Sequence, residues 1–168
     1  MSDEPLQKRI KEIPFPAVRH LPGTGTKPDS DFLHLITLRA SEHTTDSTAA
    51  DNVAWLYGIR LFNATFYWEA HEVWETVWMN ATPNSRERSL VQACIHLTNA
   101  KLKFLLGNEK AADKLCKLTT DSLERCLNGN SRTLMGVSLA QMHLLSESNG
   151  NDKTDAGKCV TTIDCEYL

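Results

Sequence analysis

The stretch W-E-A-H-E-V-W-E-T-V-W, residues 68–78, combines groups that normally occupy opposite sides of a protein surface. Between its three tryptophans it carries four acidic or imidazole side chains, Glu69, His71, Glu72 and Glu75. Charged clusters usually face water, whereas tryptophans bury large areas. The stretch therefore predicts either a metal or acid–base site in a partly dry pocket, or a helix with a charged outer face.

Helical periodicity divides this region into two faces. At about 100° per residue, the face expected to meet the core holds Phe66, Ala70, Val73 and Val77. His71 and Glu75 are i,i+4 neighbours and Glu72 and Glu75 are i,i+3 neighbours, so these three side chains share the opposite face. Trp68 and Trp78 lie in the same arc, and such large aromatic groups indicate contact with another helix or a pocket.

The next predicted helix carries a narrow polar stripe on a mostly apolar surface. The stripe follows the spacing i, i+4, i+7, i+11 and consists of Gln92, His96, Asn99 and Lys103. A helix that is apolar around most of its circumference is largely buried, and an unpaired buried polar group costs about 1–3 kcal/mol. Because the turn at 81–86 is short, the two helices should be antiparallel neighbours. The stripe is therefore expected to face His71, Glu72 and Glu75.

Three interpretations of this constellation remain open from spacing alone. In the first, it binds zinc, iron or manganese, because two carboxylates and two imidazoles are suitable ligands. The metal ligands would then be His71, Glu72, Glu75 and His96. In the second, Glu72, Glu75 or Lys103 performs acid–base chemistry without a metal. In the third, the groups form a satisfied hydrogen-bond network that sets helix register.

The chain as a whole predicts an all-α protein, a compact bundle of four to five helices. Its 168 residues, 41% of them hydrophobic, suffice for one domain with a substantial core. Five of the six prolines lie in residues 1–50, which are expected to form an irregular N-terminal arm packed on the body. Residues 51–147 should form the helical domain, and residues 148–168 a loose tail.

Four helices are predicted in the body, and no strand pattern is apparent. They span about 51–79 with a break near 62–65, then 85–106, 109–127 and 132–146. Pro83 should end the first of these helices, and Gly107 should provide a left-handed C-terminal cap for the second.

Composition excludes several classes of protein. A net charge of −3 offers no general surface for nucleic acid. No run of 18 apolar residues occurs, so no membrane-spanning helix is predicted. The N-terminal sequence M-S-D-E-P-L-Q-K has no apolar segment, so a cytoplasmic location is expected. The five cysteines form no C-x-x-C pair, which indicates reduced structural thiols.

The motif region resembles a known family. Residues 57–78, Y-G-I-R-L-F-N-A-T-F-Y-W-E-A-H-E-V-W-E-T-V-W, are similar to the signature of the domain of unknown function 309 family. That signature has an Asn, then Y-(F/W)-E-A-H-E, then a (W/L)-E pair and a further Trp. Gln92, Lys103 and the Gly107-Asn108 helix end also match. The resemblance implies an all-helical fold and an activity labelled as a predicted metal-dependent hydrolase.

Three positions depart from the family pattern. Lys27 stands where the family has a histidine in its N-terminal arm, which removes one potential ligand. His96 stands where the family has a glutamine, and Thr65 stands where it has a glycine.

Together these observations predict a polar pocket between the two central helices. Residues expected to contact an unknown small molecule are Trp68, Trp78, Gln92 and Asn63, of which Asn63 also suits a cap or turn. In a hydrolase, Glu72 or Glu75 would be a ligand or general base and Lys103 would stabilise a developing anion. The alternative is a non-catalytic helical module that binds a protein partner or a small molecule, and that can be a homo-oligomer. In this alternative the polar cluster is a structural hydrogen-bond network.

Overall fold

The computed structural model describes residues 6–126, 131–138, 140–141, 144 and 162–168. This part of the chain is mostly helical, with seven helices and one small hairpin. The elements are α1 (Leu6–Glu12), α2 (Ser30–Thr37), a 3₁₀ helix (Asp46–Asp51), α3 (Val53–Asn63), α4 (Tyr67–Met79), α5 (Arg86–Leu105), α6 (Glu109–Cys126), β1 (Thr133–Leu134) and β2 (Val137–Ser138). The helix count exceeds the four to five predicted, because the N-terminal arm contributes three short helices. None of the described helices has the length and apolar character needed to cross a membrane.

Helix α3 is the centre of the core. Nine of its eleven residues are buried, so it is covered on nearly all sides. The Trp74 indole of α4 donates a hydrogen bond to the Trp55 carbonyl at 3.2 Å and lies directly against Gly58. A Cβ atom on Gly58 would come within 2.2 Å of the Trp74 ring nitrogen, so only glycine allows α3 and α4 to approach this closely.

The predicted break between the first two helical segments is confirmed. Asn52 caps α3 by accepting a hydrogen bond from the Trp55 N–H at 3.1 Å. At the other end, the Phe66 N–H donates to the Leu61 carbonyl at 2.8 Å, as in a Schellman motif. Thr65 provides the left-handed residue of that motif, with a φ of 66°. The left-handed turn is therefore kept although Thr65 replaces the glycine of the family pattern.

The predictions for α5 and α6 are also confirmed. The Ser85 hydroxyl caps α5 by accepting from the Arg88 N–H at 3.1 Å. Gly107, with a φ of 72°, ends α5, and the Asn108 N–H donates to the Lys103 carbonyl at 2.8 Å. Asn108 then caps α6 through a hydrogen bond from the Ala111 N–H to its side chain. These ends match the sequence because caps involve only near neighbours along the chain.

The N-terminal arm is packed on α3 but is not irregular throughout. The Tyr57 hydroxyl donates to the Pro14 carbonyl at 2.6 Å, and the Arg60 guanidinium donates to the Ile13 carbonyl at 3.0 Å. Ile10 of α1 is fully buried. The arm therefore forms α1 and α2 in stretches that contain no proline. The division of the chain into arm, body and tail stays a prediction.

The prediction of a helix over 132–146 is wrong for residues 133–138, which form a hairpin. Met135 and Gly136, both with positive φ, make its two-residue turn. The Trp55 indole donates to the Met135 carbonyl at 3.0 Å, so a distant side chain holds the turn. Residues 140–141 and 144 are helical. The remaining positions of that predicted helix lie outside the described residues.

The end of the predicted tail lies against the core. Ile163 is only 2% exposed, and Cys165 forms an isolated β-bridge with Val137 of the hairpin. The side chain of Asn63 accepts from the Ile163 N–H at 2.8 Å and donates to its carbonyl at 2.9 Å. Residues 162–168 are thus attached to the helical body, which differs from the loose tail expected.

Candidate metal centre

His71, Glu72 and Glu75 form a compact group on α4, called here the His71 cluster. Each offers one ligand atom, and these atoms all lie within 4.8 Å of one another. The His71 Nε2 atom is 3.0 Å from Glu75 Oε1. Residues four apart on a helix are neighbours on its surface, so α4 itself creates this contact.

The cluster lies at the edge of the protein interior. The His71 side chain is 18% exposed and the Glu75 side chain 54% exposed. Burial raises the pKa of the Glu72 carboxyl, and the nearby Glu75 charge raises it further, while His71 and His20 lower it. The cluster therefore holds two carboxylates in a partly dry setting, where negative charge is incompletely balanced.

The residues of the cluster fit a divalent cation. The His71 Nδ1 atom is buried and has no hydrogen-bond partner within the described part of the chain. One imidazole and two carboxylates are ligands that zinc, iron and manganese accept. Three protein ligands also leave coordination positions open to water or substrate, as in catalytic rather than structural sites.

The polar stripe of α5 is only partly associated with the cluster. The Gln92 Nε2 and His96 Nε2 atoms lie 3.2 Å apart, so these stripe residues pair along their own helix. Burial lowers the pKa of His96, and the charges of Arg125 and His71 lower it further. His96 lies outside the group of ligand atoms within 4.8 Å. Lys103 is exposed in the last turn of α5, about two turns beyond His96.

The two tryptophans predicted to contact a small molecule lie near the two ends of α4. Trp68 is partly buried and contacts the His20 ring edge-on, with centroids 4.6 Å apart. Trp78 is also partly buried, and the Arg88 guanidinium lies over its ring at 3.7 Å. Asn63, predicted as a substrate contact, instead uses its amide group to hold Ile163.

The contact between Glu69 and His20 was not predicted from the sequence. Glu69 is 1% exposed, and its Oε1 atom accepts a hydrogen bond from the His20 N–H at 2.7 Å. Burial raises the pKa of Glu69, and the hydrogen bond from His20 lowers it. The available signal was the position of Glu69 on the helical wheel, between the core face and the polar face. A side chain at that position is expected to be buried by another segment of the chain. That segment is the N-terminal arm, through His20.

A scan against protein-family models matches residues 55–115 to Domain of unknown function (DUF309). The matched segment contains α4, α5, the His71 cluster and the polar stripe. A search of curated proteins and a search of solved structures each give no match. The resemblance carried by the Y-W-E-A-H-E block is thereby confirmed: residues 55–115 of this chain form a DUF309 domain.

Proposed function

We propose that the protein is a metal-dependent hydrolase of a small substrate, with a zinc, iron or manganese ion held by the His71 cluster. The observation that carries the proposal is the convergence of ligand atoms from His71, Glu72 and Glu75 within 4.8 Å. The buried His71 Nδ1 atom, which has no hydrogen-bond partner among the described residues, gives it further support. A divalent ion bound there would lower the pKa of a water molecule and make it nucleophilic near neutral pH.

The side chains of this chain would divide the remaining tasks. Glu75 holds the His71 ring through their 3.0 Å contact, so it orients that ligand. Glu72, which is partly buried, would supply a carboxylate ligand to the ion beside His71. Lys103 lies about two turns beyond His96 on α5 and would bind an anionic part of the substrate.

A non-catalytic function is the second candidate. The His71–Glu75 contact at 3.0 Å and the Gln92–His96 contact at 3.2 Å pair four polar groups without any ion. In that case the cluster is a structural network, and the domain binds a small molecule or a protein partner, including a second copy of itself.

Metal content separates the two candidates. The untagged protein is purified without chelator, supplied with zinc, iron(II) or manganese, and analysed beside Glu75→Gln and the matched control Glu124→Gln. Glu124 is exposed on α6, so its replacement leaves the cluster unchanged. The hydrolase proposal expects near-stoichiometric metal in the wild type and the control and a large loss in Glu75→Gln. No bound metal in any of the three proteins overturns it and favours the structural network.

A further inference from the structure

We propose that the turn between α5 and α6 docks on the surface of an anionic lipid bilayer, where three apolar side chains enter the interface between headgroups and acyl chains. These residues, called here the α5–α6 tip, are Phe104, Leu105 and Leu106. The inference goes beyond the proposed function and does not depend on it, because the tip contains none of the residues of the His71 cluster.

The first observation is the exposure of three consecutive large apolar side chains. Phe104 is 65% exposed, Leu105 57% and Leu106 41%. Single exposed apolar residues are common on protein surfaces, whereas a contiguous exposed group marks a contact with another molecule or a membrane. Leu102 is still buried, so α5 leaves the protein interior just before the tip.

The second observation is that the tip projects from one end of the helical body. The Arg88 guanidinium donates to the Ala81 carbonyl at 2.7 Å, which joins the end of α4 to the start of α5. From that shared end α5 runs for 20 residues and α4 for 13. At 1.5 Å per residue, α5 is about 10 Å longer than α4. Residues 103–110 are all exposed, so the last turn of α5 and the turn after it extend beyond the body.

The third observation is the positive charge that surrounds the tip. Residues 103–117 contain four lysines and two acidic residues, Glu109 and Asp113, which gives a local charge of +2 in a chain with a net charge of −3. The lysines, all exposed, are Lys103, Lys110, Lys114 and Lys117. The three on α6 follow the spacing i, i+4, i+7 and so share one face of that helix. Acidic headgroups attract lysines near a bilayer surface, and burial of adjacent apolar groups adds to that attraction.

A bilayer suits the tip better than a protein partner does. A stable protein interface uses about 20–30 residues on each side and requires complementary shapes. The tip offers only three large apolar side chains on a projecting turn. A bilayer accepts a small apolar group of any shape and is attracted by the positive charge around it. The expected partner is therefore a membrane surface that contains acidic lipid.

Vesicle co-sedimentation of the metal-free full-length protein tests the proposal. The wild type is mixed with phosphatidylcholine vesicles that contain or lack phosphatidylserine, at low and at physiological salt. We expect binding only to the vesicles with phosphatidylserine, and weaker binding at higher salt. The variant Phe104→Ser/Leu105→Ser should bind about tenfold more weakly or less, because two apolar side chains no longer enter the interface.

The matched apolar control lies at the other end of the body. Leu35 and Leu38, in and directly after α2, are exposed to a similar degree as the tip. The Asn80 amide, directly after α4, donates to the Ser41 carbonyl at 2.8 Å, so this segment lies where α4 ends. The variant Leu35→Ser/Leu38→Ser should therefore bind vesicles like the wild type.

A second pair of variants tests the charge. Lys110→Glu/Lys114→Glu reverses two lysines beside the tip, and Lys27→Glu/Arg39→Glu makes the same change in net charge at exposed positions outside it. The first variant should bind about tenfold more weakly than the second, because only the lysines beside the tip meet the headgroups.

The results that would overturn the proposal are distinct from those that bear on the His71 cluster, since no metal is present. Absence of wild-type binding to phosphatidylserine vesicles overturns it, as does equal binding by the tip variants and their controls. Light scattering that shows a wild-type dimer and a monomeric Phe104→Ser/Leu105→Ser also overturns it, because a second copy then covers the tip. Thermal unfolding checks that each variant folds, and if the apolar variant does not, the charge pair decides.

Discussion

The backbone N–H of His20 donates to the Glu69 carboxylate at 2.7 Å across 49 residues of chain. This contact fastens the N-terminal arm to the helix that carries the His71 cluster. It also places a carboxyl group with a raised pKa in the interior, next to the candidate metal centre. The stability of the protein should therefore depend on Glu69.

Replacement of Glu69 should change how stability depends on pH. Because burial raises its pKa above the ordinary 4.5, the folded state binds more protons than the unfolded state in the window above that value. The contribution of Glu69 to the free energy of unfolding should therefore fall as pH rises from about 4.5 through the raised pKa. In metal-free Glu69→Gln this fall should be smaller, and the variant should be more stable than the wild type at neutral pH.

Urea unfolding from about pH 4 to pH 8, with chelator present, measures this effect. Glu72 also has a raised pKa, so the difference between wild type and Glu69→Gln isolates the Glu69 contribution. The exposed control Glu124→Gln should run parallel to the wild type. Parallel curves for Glu69→Gln as well would show that Glu69 titrates normally in the folded protein.

The Thr65→Gly variant should be more stable than the wild type. Thr65 has a φ of 66°, and its hydroxyl is buried without a hydrogen-bond partner in the described structure. A left-handed conformation costs a non-glycine residue about 1–2 kcal/mol, and the flexibility of glycine in the unfolded chain offsets part of that gain. We expect a net increase of about 1 kcal/mol in the free energy of unfolding, measured by urea denaturation.

Ala64→Gly is the matched control for that substitution. Ala64 is the adjacent residue at the end of α3 and has a φ of −91°, which any residue adopts. Glycine at position 64 should lower the free energy of unfolding, because it increases the conformational entropy of the unfolded chain and relieves no strain in the folded state. Equal effects of the two substitutions would mean that the conformation of Thr65 carries no strain.

Loss of the Asn63 amide should release the C-terminal segment. Asn63 makes two hydrogen bonds to the backbone of Ile163, at 2.8 and 2.9 Å. Each such bond contributes about 0.5–1.5 kcal/mol, so Asn63→Ala should destabilise the protein by about 1–3 kcal/mol. Hydrogen exchange at the Ile163 amide should accelerate strongly, while α5 amides stay protected. Unchanged protection at Ile163, compared with an Asn99→Ala control on α5, would show that other contacts hold the segment.

The thiols should differ in reactivity according to burial. Burial raises the pKa of Cys126 from 9.0 to about 12, and it also raises the pKa of the fully buried Cys94. Three pKa units lower the thiolate fraction about a thousandfold at a given pH. At pH 8, iodoacetamide should therefore modify the partly buried Cys116 well before Cys94 and Cys126, as followed by peptide mass mapping. Rapid modification of Cys126 would indicate that α6 opens readily. Cys159 lies outside the described residues.

The sequence by itself determined the local features of this protein. The caps of α3 and α5, the left-handed end at Gly107 and the His71–Glu75 contact all join residues close in the chain. Helical periodicity and capping chemistry depend on such near neighbours, so they can be read from residue spacing. The family block lies in this locally determined part of the chain.

The tertiary structure decided the features that join distant residues. A hairpin stands at 133–138 where a helix was predicted, and the Trp55 indole donates a hydrogen bond to its Met135 carbonyl from 80 residues away. Asn63 meets Ile163 across 100 residues, and His20 meets Glu69 across 49. Such contacts give no periodic signal in the sequence, because they form only when the whole chain folds and buries its apolar surface. The candidate site therefore combines a helix motif visible in the sequence with an arm that only folding brings to it.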